Sequence, residues 1–192
     1  MILIIDNYDG CANNLYQLAG LTDPDIRIAR NDRIGVDEIE RMAPSHIIIS
    51  GGSCKPENAG VGPEAIRRFC GKIPVLGVCL GYRMICAAFG GQSEPMETIA
   101  QGKRQTVSLD TASPLFRGLP ETISAGFYHS ETVSEKNIPQ QLKPIAWCDG
   151  VPAGVGNDAL MLYGTEFHPE SFLSEYGKEI MANFLKIVPP KV

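Results

Sequence analysis

A chain of 192 residues that is 44% hydrophobic and 20% charged is long enough for a full core and too apolar to be disordered. Its net charge of −5, with no Lys/Arg cluster, excludes the phosphate-neutralising surface that nucleic-acid binding needs. No stretch approaches the roughly 20 apolar residues of a membrane span, and Met1-Ile2-Leu3-Ile4-Ile5-Asp6 is too short and lacks the basic start of a signal peptide; a cytoplasmic protein without membrane contact is expected.

The first half alternates strand and helix. Ile2 to Ile5 is an apolar run that opens into the turn-rich Asp6-Asn7-Tyr8-Asp9-Gly10, and Ala12 to Ala19 has helical character. Asp25 to Arg30 alternates as a strand, Val36 to Met42 reads as a short helix, and His46 to Ser50 is a buried strand followed by Gly51-Gly52-Ser53. Pro63 to Phe69 is a helix with proline at its start, where a missing N–H costs nothing. Ile73 to Leu76 is another buried strand, and Tyr82 to Phe89 another helix. This alternation predicts an α/β fold, an open and mostly parallel sheet flanked by helices. From about Gly90 to Gly164, short β-type runs (Thr106 to Leu109, Ile123 to Tyr128, Pro144 to Trp147, Leu160 to Tyr163) predict added antiparallel strands. Ser174 to Val188 reads as a closing amphipathic helix before Pro189-Pro190. With no repeat or linker, one domain over 1–192 is expected.

Between the strand ending near Leu76 and the helix from Tyr82 stands Gly77-Val78-Cys79-Leu80-Gly81. A cysteine between glycines at a strand-to-helix turn has the form of a nucleophile elbow, with sulfur in place of the usual serine oxygen. Glycines permit the tight turn, and the helix N-terminus favours an anion beside it. Buried cysteines in apolar surroundings, as Cys70 and Cys86 are expected to be, are inert core thiols. The six scattered cysteines, Cys11, Cys54, Cys70, Cys79, Cys86 and Cys148, contain no CxxC pair, and buried thiols plus one catalyst are expected rather than a disulfide framework.

A thiol nucleophile needs a base and a group that orients the base. His168 and Glu170, in Phe167-His168-Pro169-Glu170, have the right types. Residues two apart on a strand point the same way, although Pro169 marks the strand as ending. The N–H of Leu80 at the helix start and that of Gly52 are candidate oxyanion donors. In an open α/β sheet the site lies at the carboxyl ends of the strands, where Asp6-Asn7, Gly51-Gly52 and Cys79 all fall. A double glycine or a His-Pro-Glu turn alone is a weak signal; the combination is a strong one. The three histidines, His46, His129 and His168, make no ligand cluster in sequence, and neither metal nor cofactor is expected.

These residues resemble the class I (triad) glutamine amidotransferases. Within them the chain is most similar to the glutaminase subunits of anthranilate synthase and aminodeoxychorismate synthase. The match runs nearly end to end. It is carried by IDNYD (Ile5 to Asp9), NLYQL (Asn14 to Leu18), RND (Arg30 to Asp32), PENAG (Pro56 to Gly60) and IRRFCGKIPVLGVCLG (Ile66 to Gly81). FGG (Phe89 to Gly91), YHS (Tyr128 to Ser130) and FHPES (Phe167 to Ser171) complete it. The resemblance implies a flavodoxin-like fold and a glutaminase in which Cys79 attacks L-glutamine, His168 is the base and acid, Glu170 orients it, and Gly52 and Leu80 supply the oxyanion N–H groups. Substrate contacts would fall on Gly52, Arg83, His129, Ser130 and Glu131, and ammonia would pass to a separate, larger chorismate-binding synthase subunit.

The chain departs from the family pattern around the substrate. Leu80-Gly81-Tyr82-Arg83 replaces leucine-glycine-histidine-glutamine, Gly51-Gly52-Ser53-Cys54-Lys55 replaces proline-glycine-proline-glycine-threonine, and Glu131 replaces a leucine after Tyr128-His129-Ser130. Arg83 and Glu131 are expected either to pair across the pocket or to reach solvent at a subunit interface, and Cys54 to lie near Cys79 and respond to oxidation. Three functions remain open: an amidotransferase subunit of anthranilate or aminodeoxychorismate synthase, a stand-alone Cys-His-Glu hydrolase such as a γ-glutamyl hydrolase, and a pocket-altered homologue that acts by binding a partner.

Overall fold

The computed structural model describes residues 1–189, so Pro190 of the expected Pro189-Pro190 tail lies outside the described residues. Strands β1 (Ile2–Asp6), β3 (His46–Ile49) and β4 (Val75–Val78) are buried along their whole length, as near-continuous apolar runs must be when helices cover both faces. Strand β2 (Ile26–Arg30) is the half-exposed edge. These four and β9 (Leu162–Thr165) form a parallel sheet in the order β2-β1-β3-β4-β9. Beyond β9 the sheet continues antiparallel through β8 (Val151–Asn157), β7 (Lys143–Cys148), β5 (Glu94–Leu109) and β6 (Thr122–Thr132).

Side chains alternate across β1. Ile2 and Ile4 pack with Leu15 and Ala19 of α1 (Ala12–Gly20) and with Ile180 and Phe184 of α5 (Gly177–Leu185). Leu3 and Ile5 face the other way, toward Ile39 of α2 (Val36–Met42), Ile66 and Phe69 of α3 (Gly62–Phe69) and Ile85 of α4 (Leu80–Ala88). The two faces are the two halves of the core.

Three sequence expectations change. Leu160 to Tyr163 is not an added antiparallel strand: Met161 takes a left-handed backbone (φ 49°) at the end of a turn, and the strand begins at Leu162, parallel to β4. It is antiparallel only to β8, a strand missed because its Gly and Pro content reads as turns. The last helix starts at Gly177 rather than Ser174, since Tyr176 is left-handed (φ 57°) and Ser171 and Ser174 are held in turns against His168. Thirdly, Cys70 is only half-buried, at the end of α3, whereas Cys86 is fully buried and its thiol is pushed up to about 12 by that burial.

The elbow depends on the absence of two side chains. A Cβ on Gly77 would overlap the backbone of Gly81, and one on Gly81 would overlap the carbonyl of Ile49. The spacing Gly-x-Cys-x-Gly therefore lets α4 rest on the ends of β3 and β4. Gly81→Ala is expected to cost about 2 kcal/mol by forcing the helix off the sheet; an unchanged urea midpoint would show that the close approach is not required.

Candidate active site

Each parallel strand delivers a functional segment at its carboxyl end. After β1, the Asn7 N–H donates to Ser50 Oγ (3.0 Å) and its Nδ2 to the Ser50 carbonyl (2.9 Å), tying the β1 loop to the β3 loop. Asn31, after β2, donates to Asn7 Oδ1 (3.0 Å). Gly52 is wedged between Asn7 and Leu80, where a Cβ would stand 2.8 Å from the Asn7 carbonyl oxygen. Cys79, after β4, has φ 52° and ψ −103°, a strained conformation for any residue but glycine. A hydrogen bond from its N–H to the Thr165 carbonyl at the end of β9 (2.7 Å) holds it there.

His168 lies past β9 in a segment bridged to β6: its N–H donates to the Gly126 carbonyl (3.0 Å), and Ser174 Oγ donates to its carbonyl (2.6 Å). Tyr128 packs edge-on against its ring, with centroids 5.1 Å apart. His168 Nδ1 donates to Glu170 Oε1 at 2.6 Å, and both side chains are buried. The alignment expected of residues two apart is thus met in a turn rather than on a strand.

A cleft of about 430 Å³ opens over this edge. It is lined by Cys79, His168, Gly52 and Arg83, and from β6 by His129, Ser130 and Glu131. Leu80 and Glu170 lie just behind it, one as the first residue of α4, whose N–H has no preceding turn to donate to, the other behind His168. All the residues singled out in the sequence therefore gather at one place.

Burial by itself would lower the pKa of His168, but interactions with Cys11, Cys79 and Glu170 outweigh it and hold the imidazole well above its ordinary 6.5. The Glu170 contact is short, and the two thiols add to it although Nε2 is buried without a hydrogen-bond partner. A buried imidazole held protonated beside a thiol is suited to stabilise a thiolate and to return a proton to a leaving group.

Arg83 does not reach solvent. It is 7% exposed; Nη1 pairs with Glu131 Oε2 (3.0 Å) and Nη2 donates to Cys79 Sγ (3.5 Å). The expected pair across the pocket is present, but a second carboxylate accompanies it. Glu166, 1% exposed, places Oε1 3.6 Å from Arg83 Nε and 3.3 Å from His129 Nδ1, and neither of its oxygens has a hydrogen bond. His129 Nδ1 also donates to the Glu131 carbonyl (2.8 Å), and Ser93 Oγ donates to Glu131 Oε2 (2.9 Å). Desolvation opposes the charge on Arg83, and Glu166, Cys79 and Glu131 together raise its pKa over that penalty. Sequence reasoning missed Glu166; its one signal was a lone carboxylate inside the apolar run Leu160 to Phe167. Cys54 lines the same cleft, with its thiol pushed up by burial, the reverse of what an oxidation-sensitive thiolate needs.

The family model for class-I glutamine amidotransferases matches residues 3–188. The chain belongs to that family. It is 41% identical over 189 residues to the bifunctional protein TrpGD of Thermotoga maritima, covering 97% of this chain and 32% of that longer protein. It is 38% identical over 187 residues to the aminodeoxychorismate/anthranilate synthase component 2 of Bacillus subtilis, covering 97% and 96% of the two chains. Among solved structures, a candidate GMP synthase component from Thermoplasma acidophilum superposes with a TM-score of 0.85 at 25% identity, over 97% of this chain and 92% of that one. No helix among the described residues of this amidotransferase is long and apolar enough to cross a membrane.

Proposed function

We propose that the chain is the glutaminase subunit of a chorismate-using synthase, with a Cys79-His168-Glu170 triad. The observation that carries this is a strained, glycine-flanked cysteine sharing a cleft with an imidazole whose far nitrogen is held by a buried carboxylate at 2.6 Å. Cys79 sulfur attacks the side-chain amide carbon of L-glutamine, and the oxyanion forms against the N–H groups of Gly52 and Leu80. His168 gives its proton to the departing nitrogen, which leaves as ammonia. Water, deprotonated by His168, then cleaves the γ-glutamyl thioester to glutamate and free thiol. Ammonia passes to a larger, separate synthase subunit; the names of the relatives, anthranilate and aminodeoxychorismate synthase components, supply its class. Anthranilate synthesis is the leading reading and aminodeoxychorismate synthesis the second. Mixing the protein with each large synthase chain in turn, then assaying glutamine-dependent product, separates the two.

The Arg83–Glu131–Glu166 cluster keeps alive a homologue with weak glutamine binding. The deciding experiment is mass spectrometry after exposure to a glutamine-mimicking diazoketone, with and without the large synthase chain. One adduct per chain on Cys79, blocked by excess glutamine, is the expected result. No adduct in either state, while iodoacetamide still reaches Cys79, would show a surviving nucleophile in a pocket closed to glutamine.

A further inference from the structure

A charged donor points at the sulfur of Cys79. Arg83 stands one turn further along α4, on the same face, and side chains on a helix lean back toward its N-terminus. Arg83 Nη2 donates to Cys79 Sγ (3.5 Å) and Nη1 to Glu131 Oε2 (3.0 Å), while Nε is buried without a hydrogen-bond partner. Sulfur is a weak acceptor, whereas the guanidinium fork matches a carboxylate with parallel N–H groups. Arg83 is 7% exposed yet lines the cleft, so this donor is largely desolvated and still faces whatever lies against the sulfur. The N-terminus of α4, which begins beside Cys79, brings a positive helix end to the same spot. Glu131, on the cleft wall, shows the ligand class that the guanidinium takes: one carboxylate is already held, through a single nitrogen.

We propose that Arg83 makes the space over Cys79 Sγ a carboxylate-binding subsite, for which Glu131 is the internal competitor. A neutral amide gains little from a guanidinium, whereas a carboxylate gains charge-assisted hydrogen bonds in a site shielded from water. The consequence for turnover rests on the glutaminase function proposed above. Hydrolysis of the γ-glutamyl thioester breaks the carbon–sulfur bond; the oxygen of water joins the carbonyl carbon, the sulfur regains a proton, and the new acid loses its own proton to solvent. A neutral amide has then become a carboxylate beside Arg83. L-Glutamate is held more tightly than L-glutamine, so the product restrains its own enzyme, and Glu131 promotes release by competing for the guanidinium.

The test compares alkylation of Cys79 by iodoacetate and by iodoacetamide, followed by mass spectrometry, with glutathione as the reference thiol. The reagents differ only in a carboxylate against an amide on the carbon that joins the sulfur, and no glutamine is present. The iodoacetate-to-iodoacetamide rate ratio at Cys79 is expected to be about tenfold that of glutathione; a ratio no higher than that of glutathione would overturn the subsite. Arg83→Gln alone strands Glu166, so it is combined with Glu166→Gln, which leaves the net charge of the cluster unchanged. In this double variant, shown by melting curves to be folded, the ratio should fall about tenfold. His168 is intact there, so an unchanged ratio would assign the preference to the imidazolium and remove Arg83 from the site. Glu131→Gln, which keeps Arg83, should raise the ratio severalfold, and an unmoved ratio would refute the competition. Calorimetry on Cys79→Ala, which cannot turn glutamine over, reads the consequence: L-glutamate should bind about tenfold more tightly than L-glutamine. Equal affinities would refute product retention. Binding of neither, with the alkylation preference intact, would uphold the subsite and refute the glutaminase reading instead.

Discussion

Arg83→Gln is expected to destabilise the protein by about 3 kcal/mol, and Arg83→Gln with Glu166→Gln to recover most of that loss. Removing the guanidinium strands two carboxylates, and their surroundings decide which matters. Glu131 is 30% exposed and keeps the Ser93 hydroxyl, so its charge rehydrates. Glu166 is 1% exposed with no hydrogen bond to either oxygen, so its charge is left without compensation. Glu131→Leu, the natural complement to read from sequence, therefore should rescue Arg83→Gln far less than Glu166→Gln does. Urea unfolding of the two singles and the double forms a cycle. Strictly additive effects would mean that Arg83 and Glu166, 3.6 Å apart, do not share one charge balance.

Glu170→Gln is expected to lower kcat/KM for glutamine by about a hundredfold with little change in KM, and to move the alkaline limb of the pH profile to lower pH. His168 owes part of its raised proton affinity to the short bond with Glu170 and to that carboxylate's charge. An amide keeps the shape and removes the charge, so the imidazolium is lost sooner as pH rises. The sign extends to stability. A histidine whose folded pKa lies above its unfolded value of about 6.5 stabilises the fold fully below that value, and the contribution disappears as pH rises through the folded value. The wild-type advantage over Glu170→Gln should accordingly be largest in mildly acidic solution and shrink toward alkaline pH. A pH–rate profile with an unmoved alkaline limb would remove Glu170 from the triad and leave it a packing residue.

The elbow was legible because its signal is local: two glycines and a cysteine between an apolar run and a helix specify a turn whatever surrounds it. The central strands β1, β3 and β4 were legible for a related reason, since burial on both faces leaves uninterrupted apolar runs such as Ile47-Ile48-Ile49. Strand β8 was not, because Gly154 and Gly156 look like turn residues until the packing shows that a Cβ on them would stand only 3.1 Å from Ala146 and Tyr163. The start of β9 was misplaced by two residues because Asn157 Oδ1 caps a turn at Leu160, a contact that composition does not announce.

Sequence by itself determined the alternating fold, the nucleophile's turn and the residue types of the triad, all of which follow from short-range pattern: periodicity, glycine spacing and the chemistry of single side chains. Only the tertiary structure decided what those side chains meet. Arg83 is buried between Cys79 and two carboxylates, and Cys11, 157 positions before His168 in the chain, stands beside its imidazole. Such contacts depend on where the loops after β1, β4 and β9 come together, and charge balance is a property of that meeting point rather than of any one segment.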